Sequence, residues 1–200
     1  MVNIPCIEVE NANGIREIAL STRHLMNRNL FIHGEINSEM ANRILSEIIY
    51  LSEDTETPVN VYINSPGGEV NAGLMIYDLI QDSKMPINMI CTGIAASMAA
   101  IIFAGGQTGR RYILPHSKVM IHEPLISGGV GGSATSIKNI SESILETRKI
   151  CNGILAKHTC KSVEEIDKAT AYDNYMNADE AVAFGICDRV ISGISKIENI

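Results

Sequence analysis

An alcohol, an imidazole, a carboxylate and glycine amides are the groups in this chain that could cleave an acyl bond together. Ser97 is the one serine of the small, apolar run "CTGIAASMAAIIFAGG" (Cys91 to Gly106). A serine becomes a nucleophile when a base takes its proton, a carboxylate orients the base, and N–H donors receive the oxyanion. The strand "NMICTG" passes into an Ala-rich buried helix, with Ser97 expected near its N-terminus. There the N–H groups of Ser97 and Met98 lie close by and the dipole favours negative charge. Small neighbours (Ala95, Ala96, Ala99, Ala100) let a second backbone or a peptide approach. Gly67 and Gly68 of "SPGG" open another helix, and without a Cβ their N–H groups can point into a cleft. His122 ends the strand "KVMI" just before Pro124, and Asp173 lies in "YDNYMNADE" between two capped helices. Each piece also has a plainer reading. The serine can be helix packing, Pro-Gly-Gly only a turn, and an Asp before Asn a turn former. His24, His33, His116 and His158 compete with His122 for the role of base. The order Ser, His, Asp also differs from the three familiar chain orders of other serine hydrolases.

The elements that must position these groups follow from periodicity and punctuation. "NLFIHGEI" (Asn29 to Ile36) reads as a buried strand. Asn37 or Ser38 can cap a helix striped by Ala41, Ile44, Leu45, Ile48 and Leu51. "VNVYIN" is β-rich and runs into the glycine turn, after which Val70, Leu74, Tyr77 and Gln81 share a helical face. "RYILP" and "KVMIHEP" predict two strands, each ended by a proline. A glycine-rich stretch, "LISGGVGGSATSI", leads into a long helix carrying Ile137, Ile140, Ile144, Cys151, Ile154, Leu155 and His158 at helical spacing. Ser162 with Glu165 matches a capping box, as does Asn177 with Glu180 ahead of a Gly185 stop. "ICDRVIS" closes as a strand. The first 20 residues have weak periodicity and predict a flexible arm. Alternating strands and helices imply an α/β fold of βαβ units in one domain, 1–200.

Composition narrows the function. The chain has 200 residues, 46% of them hydrophobic and 20% charged, with no Trp. A net charge of −7 and no basic stripe argue against nucleic-acid binding. No run is long and apolar enough to span a bilayer, and the N-terminus has no secretory pattern. Five scattered cysteines without a CxxC pair predict reduced thiols in a cytosol and no zinc site. There is no P-loop, so the chain is not expected to use ATP by itself.

Taken together, "YINSPGGEVNAGLMIYDLIQ", "CTGIAASMAAIIFAGG", "RYILPHSKVMIHEPL" and "ADEAVAFGICDRVI" resemble the proteolytic subunit of the Clp protease, from about Ile4 to Ile191. The resemblance implies a crotonase-like fold with a head (21–122 and 160–192), a handle (123–159) and an N-terminal axial arm (1–20). It implies a serine endopeptidase whose nucleophile falls on Ser97, general base on His122 and orienting acid on Asp173. The oxyanion donors fall on the amides of Gly68 and Met98. It further implies a cytoplasmic homo-oligomer of two stacked heptameric rings, fed with unfolded polypeptide by an AAA+ unfoldase. No cofactor or metal is expected in this chain; ATP belongs to the partner. "SGGVGG" corresponds to a handle strand that an extended peptide could pair with.

Departures from the family pattern cluster. Ile94 stands for a usual Gln, Ala99 for Gly, Glu123 for Gln, and Ser133 and Ser136 for a Gln and a Glu that help couple the rings. The glycine-rich handle stretch is longer by two residues, and Ala171 and Tyr172 replace an acidic residue and Arg. Asp82 falls where a Phe lines the pocket for the unfoldase's docking loop. These changes fit a divergent paralogue that docks its unfoldase weakly or works in mixed rings, and equally a reading in which Asp82 lies at the pocket rim and matters little. The rival readings are a non-catalytic ring member and a crotonase-type acyl-CoA enzyme, which would use the glycine amides to hold an enolate.

Overall fold

The computed structural model describes residues 5–11, 14–126 and 128–194. Within the expected arm the chain forms an antiparallel hairpin, β1 (Cys6–Asn11) with β2 (Gly14–Ala19), Cys6 lying opposite Ala19. Residues 1–4, 12 and 13 of that arm, and Ser127 of the glycine-rich stretch, lie outside the described residues. A short helix that periodicity does not announce, α1 (Leu20–Met26), leads into the body of the fold.

β3 (Asn29–His33), β4 (Val59–Ser65) and β5 (Ile87–Ala96) run parallel, and β6 (Arg111–Ile113) and β9 (Arg189–Val190) extend the sheet beyond β5. β4 alternates, burying Val59, Val61, Ile63 and Ser65. β5 is central and buries Ile87 through Cys91 without a break, the pattern of a parallel strand covered on both faces. Each fully buried Ile or Met there contributes roughly 1.5–3 kcal/mol. β5 has two successive partners on one side: Met89–Cys91 pair with β6, and Ile94–Ala96 pair with β7 (Lys118–Ile121). β7 is flanked in turn by antiparallel β8 (Asn174–Met176).

The helices follow their apolar stripes with two differences. α2 (Ser38–Leu51) is capped by Asn37, whose side chain accepts from the Met40 N–H, and buries Ala41, Ile44, Ile48 and Leu51. α3 (Val70–Asp82) buries Ala72, Gly73, Ile76, Tyr77 and Ile80, whereas Val70 and Leu74 are half-buried and Gln81 is exposed. In so apolar a helix periodicity does not single out the deepest face. The second difference concerns the Ala-rich run. β5 continues through Ala96, and the helix α4 (Met98–Ala104) starts only after Ser97. Small residues packed between layers satisfy strand and helix equally, so "CTGIAA" gives no boundary.

α5 (Ala134–Thr159) is capped by Ser133 and buries Cys151, Asn152, Leu155 and Thr159, while residues 134–143 are all exposed. Among the described residues of the expected handle strand, Gly128–Gly132 pair with no strand, and positive φ at Gly128 (99°) and Gly132 (134°) breaks an extended run. Both capping boxes are formed, at α6 (Val163–Thr170) and α7 (Ala178–Phe184), and Gly185 ends α7 at φ 99°. Arg111 knots the sheet to the helix ends. Its buried guanidinium pairs with Asp188 at 2.7 Å and donates to the carbonyls of Ala104, His158 and Gly185.

Candidate active site

The ends of three neighbouring strands bring distant residues together. Ala96 lies opposite Met120 in the parallel β5–β7 pair, and the Ser97 N–H donates to the Met120 carbonyl at 2.8 Å. Ile121 lies opposite Asn174 in the antiparallel β7–β8 pair, so His122 and Asp173 meet one step beyond the ladder. The side chains then form a continuous chain. His122 Nε2 is 2.8 Å from Ser97 Oγ, and its Nδ1 is 2.9 Å from Asp173 Oδ1. With Nδ1–H donated to the carboxylate, Nε2 is the nitrogen that can accept the serine proton. The imidazole is 15% exposed and the Asp173 side chain 59%, so the ring is sheltered while the carboxylate faces water.

Ser97 occupies a sharp elbow between β5 and α4 with φ 54° and ψ −121°, an uncommon conformation for a residue bearing a Cβ. Such a strand-to-helix elbow lifts a hydroxyl clear of the sheet. Met98, the first residue of α4, belongs to the turn whose N–H groups have no acceptor within the helix. The Pro-Gly-Gly turn packs against this elbow. A Cβ at Gly67 would stand 2.7 Å from the Ala96 carbonyl oxygen and 2.8 Å from Ser97 Cβ, and φ there is +96°. Gly68 bridges to Ile36 through its neighbours: the Ile36 N–H donates to the Gly67 carbonyl, and the Glu69 N–H to the Ile36 carbonyl. The N–H of Gly68 is therefore left out of that ladder. Beside the turn lies an open cleft of about 710 Å³, lined by Val70, Leu125, Ile126, Ile140 and Ile144 among others.

Three of the four competing histidines have partners elsewhere. His158 Nε2 is 2.9 Å from the Tyr77 hydroxyl, and burial pushes its pKa below the ordinary value. His24 and His33 each meet the ring of Phe31 edge-on. The buried thiols are poor nucleophiles, since burial pushes Cys91 and Cys151 up to about 11 and Cys187 to about 12. Among the described residues none of the five cysteines forms a disulfide. Among the described residues no group of three or more His, Cys, Asp or Glu could hold a metal ion, and no helix is long and apolar enough to cross a membrane.

A family model described as Clp protease matches residues 12–193. This chain belongs to the Clp protease family. The seven helices and mostly parallel sheet among its described residues fit the crotonase-like architecture expected of that family. Membership makes the chain a Clp-type peptidase, of a family that assembles as oligomers with ATPase partners.

In this Clp protease the geometry brings together Ser97, His122 and Asp173, with the Pro-Gly-Gly turn against the elbow. Sequence reasoning missed β8, whose three residues are too few to show alternation yet set the height of Asp173. It also missed a junction behind the base. The Glu123 N–H donates to the Thr170 carbonyl at 2.8 Å, and Arg148 of α5 lies 3.1 Å from Glu123 Oε2 and 3.7 Å from Asp167 Oδ1. Ser133 and Ser136 act within the chain as the cap of α5, the Ser136 N–H donating to Ser133 Oγ at 3.2 Å. Tyr172 is 86% exposed, and Asp82 is exposed where it lines a cleft of about 360 Å³ with Ile48, Ile49, Leu79 and Met85.

Proposed function

We propose that this chain is a serine endopeptidase subunit in which Ser97 is the nucleophile, His122 the general base and Asp173 the orienting acid. The observation that carries the reading is the unbroken hydrogen-bonded series from Ser97 Oγ through the imidazole to the carboxylate. Ser97 Oγ attacks the scissile carbonyl carbon as its proton passes to His122 Nε2. The N–H groups of Gly68 and Met98 receive the oxyanion. Collapse of that intermediate breaks the C–N bond, and His122 returns the proton to the departing amine. Water then repeats the sequence on the acyl-serine and frees the new carboxylate. The cleft lined by Val70, Leu125, Ile126, Ile140 and Ile144 takes an apolar side chain of the substrate. No cofactor or metal enters this chemistry.

The working form in this reading is a cytoplasmic pair of stacked heptameric rings fed with unfolded polypeptide by an AAA+ unfoldase, which alone uses ATP. Fluorophosphonate labelling of the assembled protein tests the chemistry. Wild type should gain one adduct per chain at Ser97 and hydrolyse peptides, and Ser97→Ala should do neither. An unlabelled wild type would remove the reading in favour of a non-catalytic ring member or an acyl-CoA enzyme.

A second reading, a paralogue that depends on mixed rings, is favoured by Asp82 in a cleft whose apolar lining is Ile48, Ile49, Leu79 and Met85. A carboxylate there opposes an apolar docking loop by a few kcal/mol unless it stays in water. Vigorous degradation of a folded, tagged substrate by homomeric rings with the ATPase would end that reading.

A further inference from the structure

From the junction behind the imidazole, and resting on the triad reading above, we infer that Arg148 is a positioning residue for catalysis. It holds together and in register the two chain segments that carry His122 and Asp173. The base is followed directly by Glu123, and the acid lies three residues beyond Thr170, where α6 ends. The Glu123 N–H donates to the Thr170 carbonyl, so the two segments touch. Their side chains bring two carboxylates to the same place, Glu123 and Asp167. Arg148 stands between them, 3.1 Å from one and 3.7 Å from the other. Without its charge the two acids repel across the backbone contact that holds the base level with the orienting carboxylate.

The same helical face ties this junction to the substrate cleft. Ile144, Arg148 and Asn152 are spaced four apart on α5 and so share one side. Ile144 lines the cleft. Asn152, 1% exposed, donates to Asp167 Oδ1 at 2.5 Å and to Thr170 Oγ1 at 3.3 Å. Asn152 thus fixes α6 to α5 from within the core. Arg148, 33% exposed on its side chain, is the member of this face in contact with the segment bearing the base. It sits where α5 passes from its exposed half into the body of the fold. A shift of the projecting half therefore reaches His122 through Arg148 and Glu123, without a contact to substrate.

The test compares the second-order rate of fluorophosphonate labelling at Ser97 across wild type, Arg148→Ala, Arg148→Lys, Glu123→Gln and Arg148→Ala/Glu123→Gln. Arg148→Ala should lower the rate about three- to fivefold, the upper part of the range expected from partly exposed charges. Peptide hydrolysis should lose kcat with KM unchanged. Arg148→Lys should restore most of the rate. Glu123→Gln should rescue Arg148→Ala to within about twofold of wild type, because it removes the repulsion. Added salt should narrow the deficit of Arg148→Ala. A rate for Arg148→Ala within twofold of wild type overturns the proposal. So does a deficit that neither Glu123→Gln nor Arg148→Lys relieves, since that is the mark of lost packing. If Arg148→Ala fails to assemble, Arg148→Gln takes its place with the same expected order of rates. Failure of both to assemble with Glu123→Gln present also overturns it. Absent labelling of wild type would instead strike the triad reading, so the two failures are distinguishable.

Discussion

Replacing Gly67 by alanine probes the contact on which the elbow at Ser97 rests. The added methyl would sit 2.7 Å from the Ala96 carbonyl oxygen, 2.8 Å from Ser97 Cβ and 3.0 Å from the Met98 nitrogen. Two costs add. A residue with a Cβ at φ +96° is strained by about 1–2 kcal/mol. Overpacking against backbone that cannot turn aside costs about 1–3 kcal/mol more. The expected destabilisation is therefore about 2–5 kcal/mol unless the elbow moves. Relief of the Ser97 contact from 2.8 Å to an ordinary 3.4 Å needs a shift of about 0.6 Å. Since a 1 Å misplacement can cost about 100-fold in rate, this shift predicts about a tenfold loss. The assay pairs the labelling rate of Ser97 with thermal denaturation of the same preparation. A variant that labels within twofold of wild type and melts at the same temperature would refute the claim that Gly67 is held against Ser97.

Asp173→Asn should keep the shape of the site yet lower kcat about 10³- to 10⁴-fold, because the amide no longer selects the tautomer that leaves Nε2 free; steady-state peptide hydrolysis measures it. Activity should also fall in acid, as a protonated imidazole cannot take the Ser97 proton. A flat profile there would count against His122. Asp188→Asn should destabilise the fold by about 3–5 kcal/mol, because it strands the buried Arg111 guanidinium, and denaturant melts would read it. In the wild type, burial raises the Asp188 pKa, but hydrogen bonds and charge from Arg111 outweigh it and hold the carboxyl below its usual value. That stabilisation is complete above the ordinary carboxylate range, about pH 4, and fades as pH falls through the depressed value. The acid-induced loss should therefore be shallower in Asp188→Asn.

What could be read from the sequence was local. Asn37, Ser162 with Glu165, Asn177 with Glu180, and Gly185 mark helix ends by chemistry that acts within a turn, and each is found in that role. The stripe of α2 was legible because polar residues separate its apolar ones. α3 and the run before Ser97 were less so, since a uniformly apolar stretch carries no phase. Ser97, His122, Asp173 and the glycine turn could be nominated one by one, each with a bland alternative. Their meeting depends on the register of β5, β7 and β8, a non-local property that no window of sequence contains. Arg148 gave no signal either, because an Arg on a long polar helix face looks like any solvated charge.

The split pairing of β5 has a consequence for how the molecule breathes. Its first half is held on both sides, by β4 and by β6, whereas beyond the register shift only Ala95 still pairs with β4, and Ile94 to Ala96 lean on β7 and, behind it, on the three-residue β8. Amides around Ile90 should exchange with solvent deuterium only when the whole domain opens. Those leading to the elbow can exchange through detachment of the short outer ribbon alone. The end of the sheet that carries Ser97 can thus come apart and re-form while the rest of the sheet stays intact.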